Sequence, residues 1–229
     1  MRESPNYEIS FMLCVCGVIF CCYLPANITA FLIVVIGYIE AQMLGLTEEL
    51  KLLWGDAEKY YYKTILNDSE DNGNVKEKVM NDYVEKHLKS IIKSHGRNLS
   101  LLNQVESVFK GAIALEFFLL TIGITAELLG GLENTYLEVP FALICVGMDC
   151  FVGQRVTDAG IKFENAVYDC KWENYNQTNM KIVLMMLQNS QKRMKLSAGG
   201  IIVLDFYCLM QVFRSIYSAY TTLRTTMSD

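Results

Sequence analysis

Between residues 9 and 39 the sequence contains no aspartate, glutamate, lysine or arginine: ISFMLCVCGVIFCCYLPANITAFLIVVIGYI is uncharged throughout. Roughly 20 such residues already cross the hydrocarbon core of a bilayer as a helix, which excludes a freely soluble globular chain. The residues before the run, MRESPNYE, lack a basic cluster, and no small-residue cleavage pattern follows it, which excludes a secretory signal peptide. Histidine is nearly absent. His87 and His95 lie eight residues apart on an amphipathic stretch, and there is no Gly-rich phosphate loop, no HExxH and no GxSxG, so an enzyme is excluded on motif grounds. His95 falls on the apolar stripe and reads as a packing residue. The eight cysteines form no extracellular disulfide framework, because Cys14, Cys16, Cys21, Cys22, Cys145, Cys150 and Cys208 fall in apolar segments and Cys170 beyond them. CVC and CC are spaced too tightly for tetrahedral zinc, and no metal or cofactor site is expected.

What the chain does have is apolar surface, 52% of residues with a mean hydropathy of +0.23. Four segments are long enough to cross a membrane: 9–43, 111–132, 136–155 and 197–224. Pro25, Asn27 and Thr29 interrupt the first, so that part of the helix is expected to face protein or a cavity. Glu116 and Glu127 lie in the second, Glu138 and Asp149 in the third, and Asp205 and Arg214 in the fourth. Charges there are costly in lipid, which places them at the interfaces or toward a polar interior. Asp205 reads as matched only from another element. Of 20 Lys and Arg, ten lie between residues 44 and 110 and seven between 155 and 195, so four crossings put both basic blocks on the cytoplasmic side and both chain ends outside. The first block is nearly neutral overall, which excludes a nucleic-acid patch.

Residues 44–110 read as a cytoplasmic helical hairpin. Leu46, Leu50, Leu53, Ala57, Tyr61 and Ile65 recur every three or four positions. The polar turn NDSEDNGN at 67–74 follows, and a second stripe runs through Met80, Val84, Leu88, Ile91, His95, Leu102, Val105 and Phe109. Residues 156–196 read as a cytoplasmic anchor, and Gly199-Gly200 as a break before the last crossing. The fold class is all-α: a multi-span helical membrane protein, about four transmembrane helices with long cytoplasmic helical extensions.

Several ordered motifs carry a family resemblance. FVGQRVTDAGIKFENAVYDCKW, then MKIVLMMLQNSQKRMKLSAGG, then VFRSIYSAYTTL resembles the C-terminal region of insect odorant receptors. Tyr168 and Trp172, Gln191-Lys192 ahead of Leu196-Ser197-Ala198-Gly199, and Tyr217-Ser218 match in order and spacing, and SIIKSHGRNLSLLNQVESVF is similar to the family's entry into its fifth span. The likeness covers about residues 20 to 226. It implies the last four of seven spans, with Met1 near the loop before the fourth.

The resemblance also implies roles. The last helix would line a cation pore formed by four subunits, with Ser218, Thr221, Thr222, Thr225 and Thr226 facing the ions; hydroxyls without a fixed ring of charge suit weakly selective conduction. The competing reading is that these hydroxyls bond their own preceding carbonyls. Odorant would bind near Tyr23, Asn27, Phe117, Phe118, Phe141 and Ile144, and Tyr168 and Trp172 would sit in the anchor where subunits meet. The implied protein is a multi-pass odorant-gated, non-selective cation channel subunit in the plasma membrane of a sensory dendrite. Its partners would be the olfactory co-receptor in a heterotetramer, a small volatile odorant and membrane lipid, with no nucleic acid and no cofactor. The residues leave open a gustatory receptor, a G-protein-coupled receptor or transporter, and a non-conducting fragment that modulates assembly.

Overall fold

A computed structural model describes residues 6–19, 23–65, 73–130 and 138–228. The elements in chain order are α1 (Asn6–Val18), α2 (Leu24–Ile65), α3 (Gly73–Gly130), α4 (Glu138–Tyr168), a 3-10 turn at Trp172–Asn174, α5 (Gln177–Ser190), β1 (Ser197–Ala198), β2 (Ile202–Val203) and α6 (Phe206–Ser228). The all-α, multi-span class expected from the sequence holds. Helices α2, α3 and α4 are long and apolar enough to cross a membrane. With 42 and 58 residues, α2 and α3 exceed the roughly 20 that one crossing needs, so each carries an amphipathic continuation.

One segment boundary differs from the expectation, that of the last crossing. Within the apolar run 9–43, α1 extends to Val18 and α2 is continuous from Leu24, and Cys21 and Cys22 lie outside the described residues. Pro25 falls in the first turn of α2. One turn on, the Asn27 side chain donates to the Tyr23 carbonyl at 2.7 Å. The final segment, expected as a helix from 197, opens instead as a hairpin, with Ser197 paired to Val203 and Ala198 to Ile202. Gly199 and Gly200 have φ of 64° and 76°, a left-handed pair that side chains other than glycine rarely adopt. Helix α6 starts only at Phe206. Asp205 is its N-cap, accepting from the Cys208 backbone N–H at 2.7 Å, which corrects the expectation of a partner on another element.

The chain forms two compact units, Met1–Gly37 with Phe109–Gln154 and Ser197–Asp229, and Tyr38–Val108 with Arg155–Leu196. In the first unit, Ile124 of α3, Ala142 of α4 and Ile216 of α6 form a buried apolar cluster, with Leu120, Leu128, Val139, Leu143 and Val212 packed on it. The hairpin is tied to α3 by the Gly199 N–H, which donates to the Lys110 carbonyl at 2.7 Å. Gly153 of α4 lies against Leu204 so closely that a methyl group there would meet the Leu204 backbone and Cβ.

The second unit is built from the two predicted stripes. Leu46, Leu50, Leu53, Ala57 and Tyr61 are buried on α2, and Met80, Val84, Leu88, Ile91, His95, Leu102 and Val105 on α3. Most of the polar turn at 67–74 lies outside the described residues; Gly73 already opens α3. His95 stacks on Phe163 of α4, ring centroids 4.6 Å apart and planes 12° apart, the packing role read from the sequence.

Candidate functional site

Helix α6 carries the polar stripe. Ser218, Thr222, Thr225 and Thr226 are exposed and Thr221 half-buried. Each threonine hydroxyl donates back to a carbonyl three or four residues earlier: Thr222 to Ser218 at 2.8 Å, Thr225 to Thr222 at 2.8 Å, Thr226 to Thr222 at 2.9 Å, and Thr221 to Tyr217 and Ser218 at 3.0 Å each. This is the back-bonding read as one alternative from the sequence; it satisfies the hydroxyl hydrogens and leaves the oxygen lone pairs on the helix surface. Gln211 donates to the Tyr207 hydroxyl and Arg224 to the Tyr220 hydroxyl, both at 2.7 Å. Arg214 is exposed and lines an open groove with Ser215, Ser218, Ala219, Thr222 and Leu223. With its Gln, Arg, Ser and Thr, α6 is less apolar than α2, α3 and α4, though 23 residues reach roughly 34 Å.

The residues expected at an odorant site are distributed differently. Phe117 is buried, while its neighbour Phe118 is 62% exposed and faces elsewhere. Tyr23 and Ile144 are exposed, Phe141 is at the margin of exposure, and Asn27 is occupied by its bond to the Tyr23 carbonyl. These six lie in the first unit on α2, α3 and α4, or just before α2.

Tyr168 and Trp172 do come together. They line an apolar groove of about 300 Å³ with Val167, Met180, Val183, Leu184 and Leu187, and Lys181 at its edge. Local backbone chemistry builds it. After α4 ends, Lys171 takes a left-handed conformation at φ 54° and turns the chain into the 3-10 turn, placing Trp172 beside the helix it has just left. The Tyr175 hydroxyl donates to the Cys170 carbonyl at 2.9 Å, and its ring lies 5.7 Å from that of Trp54. Burial, reinforced by Cys170, pushes that hydroxyl's pKa above the ordinary tyrosine value. It stays a neutral donor at physiological pH.

Sequence reasoning missed what holds α5 in place. Asn176 caps the helix, accepting from the Asn179 N–H at 2.8 Å. Asn81 of α3 accepts from the Asn176 N–H at 2.8 Å through its side chain, and its carbonyl accepts from the Asn179 amide at 2.9 Å. Arg155 pairs with Glu40, only 13% exposed, at 2.9 Å. An Asn-x-x-Asn cap was visible as a pattern; its partner some 95 residues earlier had no local signal.

Comparison with known proteins gives this architecture a place. The family model described as 7tm Odorant receptor matches residues 1–132 and 139–217. Odorant receptor 67b of Drosophila melanogaster is 26% identical over 234 residues, covering 97% of this chain and 50% of its own length. Odorant receptor 67c of the same species is 22% identical over 146 residues, covering 61% of this chain and 36% of its own. The chain thus spans at most about half the length of these curated relatives. Among solved structures, the insect olfactory receptor OR5 from Machilis hrabei in complex with eugenol has the same fold, with a TM-score of 0.56 at 12% identity over 90% of this chain and 69% of that one. A second structure of the same receptor gives 0.53, again at 12% identity, over 89% of this chain and 68% of that one. With a family model matched along most of its length and a helical fold in common with a solved member, the chain belongs to the 7tm odorant receptor family.

Proposed function

We propose that this chain is a subunit of an odorant-gated, non-selective cation channel that works with the olfactory co-receptor in a heterotetramer, in the plasma membrane of a sensory neuron's dendrite. The observation that carries the reading is the exposed hydroxyl face of α6, Ser218, Thr222, Thr225 and Thr226, on a helix that also presents apolar side chains. Oxygen lone pairs without fixed charge replace part of a cation's hydration shell without holding it. Arg214 would have to turn from the ion path or be paired by a neighbouring subunit.

The groove under Tyr168 and Trp172 supplies an apolar surface for the anchor where subunits meet. The odorant would be a small apolar volatile, contacted by Phe117 and by the neighbourhood of Tyr23, Asn27, Phe118, Phe141 and Ile144 once the other spans of a whole receptor pack on them. The eugenol complex of the Machilis receptor supports a small organic ligand.

The test is whole-cell current to an odorant panel, with the chain and an upstream-extended version each expressed with and without the co-receptor. Odorant-evoked current that needs the co-receptor supports the proposal. Surface-expressed protein that stays silent to every odorant in every combination contradicts it. A C-terminus found in the cytoplasm would favour a G-protein-coupled receptor instead.

A further inference from the structure

Three polar side chains inside the first unit have no role in the odorant reading. Thr29 on α2 is 6% exposed, Glu116 on α3 8% and Asp149 on α4 1%. Neither carboxylate oxygen of Glu116, neither of Asp149, nor the Thr29 hydroxyl has a hydrogen-bond partner among the described residues. They are not scattered. Asp149 lies within electrostatic reach of Glu116, and the Thr29 hydroxyl faces Asp149 without closing a hydrogen bond.

Buried carboxylates far from water are very costly unless something neutralises them. The described cations of this unit are Lys110, Arg214 and Arg224, all exposed, and Arg224 donates to Tyr220. None is a buried partner. What the three helices offer is five oxygen atoms on buried side chains, none with a hydrogen-bond partner among the described residues.

That donor set selects its occupant. An oxygen-only shell disfavours transition metals, which take nitrogen and sulfur ligands, and no group of three or more His, Cys, Asp or Glu among the described residues holds a metal geometry. Calcium takes about six to eight oxygens and magnesium a strict octahedron, and five atoms on side chains reach neither count. Burial this deep disfavours an organic ammonium with its carbon skeleton and favours a bare ion.

We propose that Thr29, Glu116 and Asp149 form an intramembrane site for a monovalent alkali cation, which ties α2, α3 and α4 together. The site lies away from the α6 hydroxyl stripe in sequence and chemistry, and the proposal does not depend on the odorant reading. Its ion is structural: it stays bound and holds the three helices together.

The experiment is thermal unfolding of the full chain, purified in detergent without alkali metals, in sodium, potassium or N-methylglucamine chloride at equal ionic strength. Sodium or potassium is expected to raise the midpoint by about 3–5 °C for each tenfold excess over its dissociation constant. The Glu116→Gln/Asp149→Asn double variant should lose that dependence. Thr29→Val, which keeps the shape and removes one oxygen, should need several-fold more cation for the same shift and covers the case in which the double variant does not fold. Radioactive sodium should bind saturably at one site per wild-type chain. Identical midpoints in all three salts without saturable sodium binding, or a cation effect that survives in the double variant, would overturn the proposal.

Discussion

The two compact units treat polar groups in opposite ways. In the unit of Tyr38–Val108 and Arg155–Leu196, buried polarity is largely paired: Asn81 with Asn176 and Asn179, Arg155 with Glu40, Tyr175 with the Cys170 carbonyl. In the other unit, Thr29, Glu116 and Asp149 are buried without partners, while the hydroxyls of α6 are turned outward. A unit whose polar interior is mostly satisfied, here with Asn98 Nδ2 and Asn179 Oδ1 as exceptions, serves as a scaffold, and one whose polar groups are left open has capacity to bind. Ion and ligand chemistry is therefore expected in the first unit and stability in the second.

Truncating the scaffold should have the largest effect. Leu88, fully buried on α3, changed to alanine should cost about 2–5 kcal/mol, read as a lowered unfolding midpoint with loss of surface expression. Next is Asn179→Ala, which removes a fully buried amide and leaves the Asn81 carbonyl without that donor; a loss of about 1–3 kcal/mol is expected in the same assay. Gly153→Ala should cost a similar 1–3 kcal/mol, because its methyl would press on Leu204 and part α4 from the start of α6. If that variant melts like wild type, the close approach is not a constraint.

Smaller effects on stability should accompany larger ones on function. Phe141 sits at the margin of exposure, so Phe141→Ala should alter which odorants activate while barely moving the melting midpoint; an unchanged panel response would remove it from the ligand site. At the bottom of the scale, Lys51→Ala breaks an exposed pair with Glu48 and should change neither stability nor current. A measurable destabilisation there would mean that surface charge does more for this scaffold than its buried pairs suggest.

The scaffold was largely legible in the sequence because it repeats. Leu46, Leu50, Leu53, Ala57 and Tyr61 recur at helical spacing, and burial follows that spacing. Gly199-Gly200 was legible for another reason, since only glycine takes that backbone cheaply. The hairpin those glycines close, two residues per strand, is too short to leave a periodic signal. Asp205 misled because its carboxylate was read as a side chain within a helix, whereas α6 begins one residue later and the aspartate caps it. Glu116 and Asp149 were expected at the interfaces or toward a polar interior, and both are buried, yet nothing local says that residues 33 positions apart on two helices interact. Long-range pairing of this kind is set by packing, which one-dimensional patterns do not encode.

The measurement that bears most directly on the account is cysteine accessibility along α6 during odorant-evoked current. Ser218→Cys, expressed with the co-receptor in an upstream-extended chain, should be modified by a small cationic thiol reagent from solution, with the current falling as the added charge enters the ion path. Modified Ser218→Cys channels that carry undiminished current with unchanged ion selectivity would contradict a pore lined by this helix.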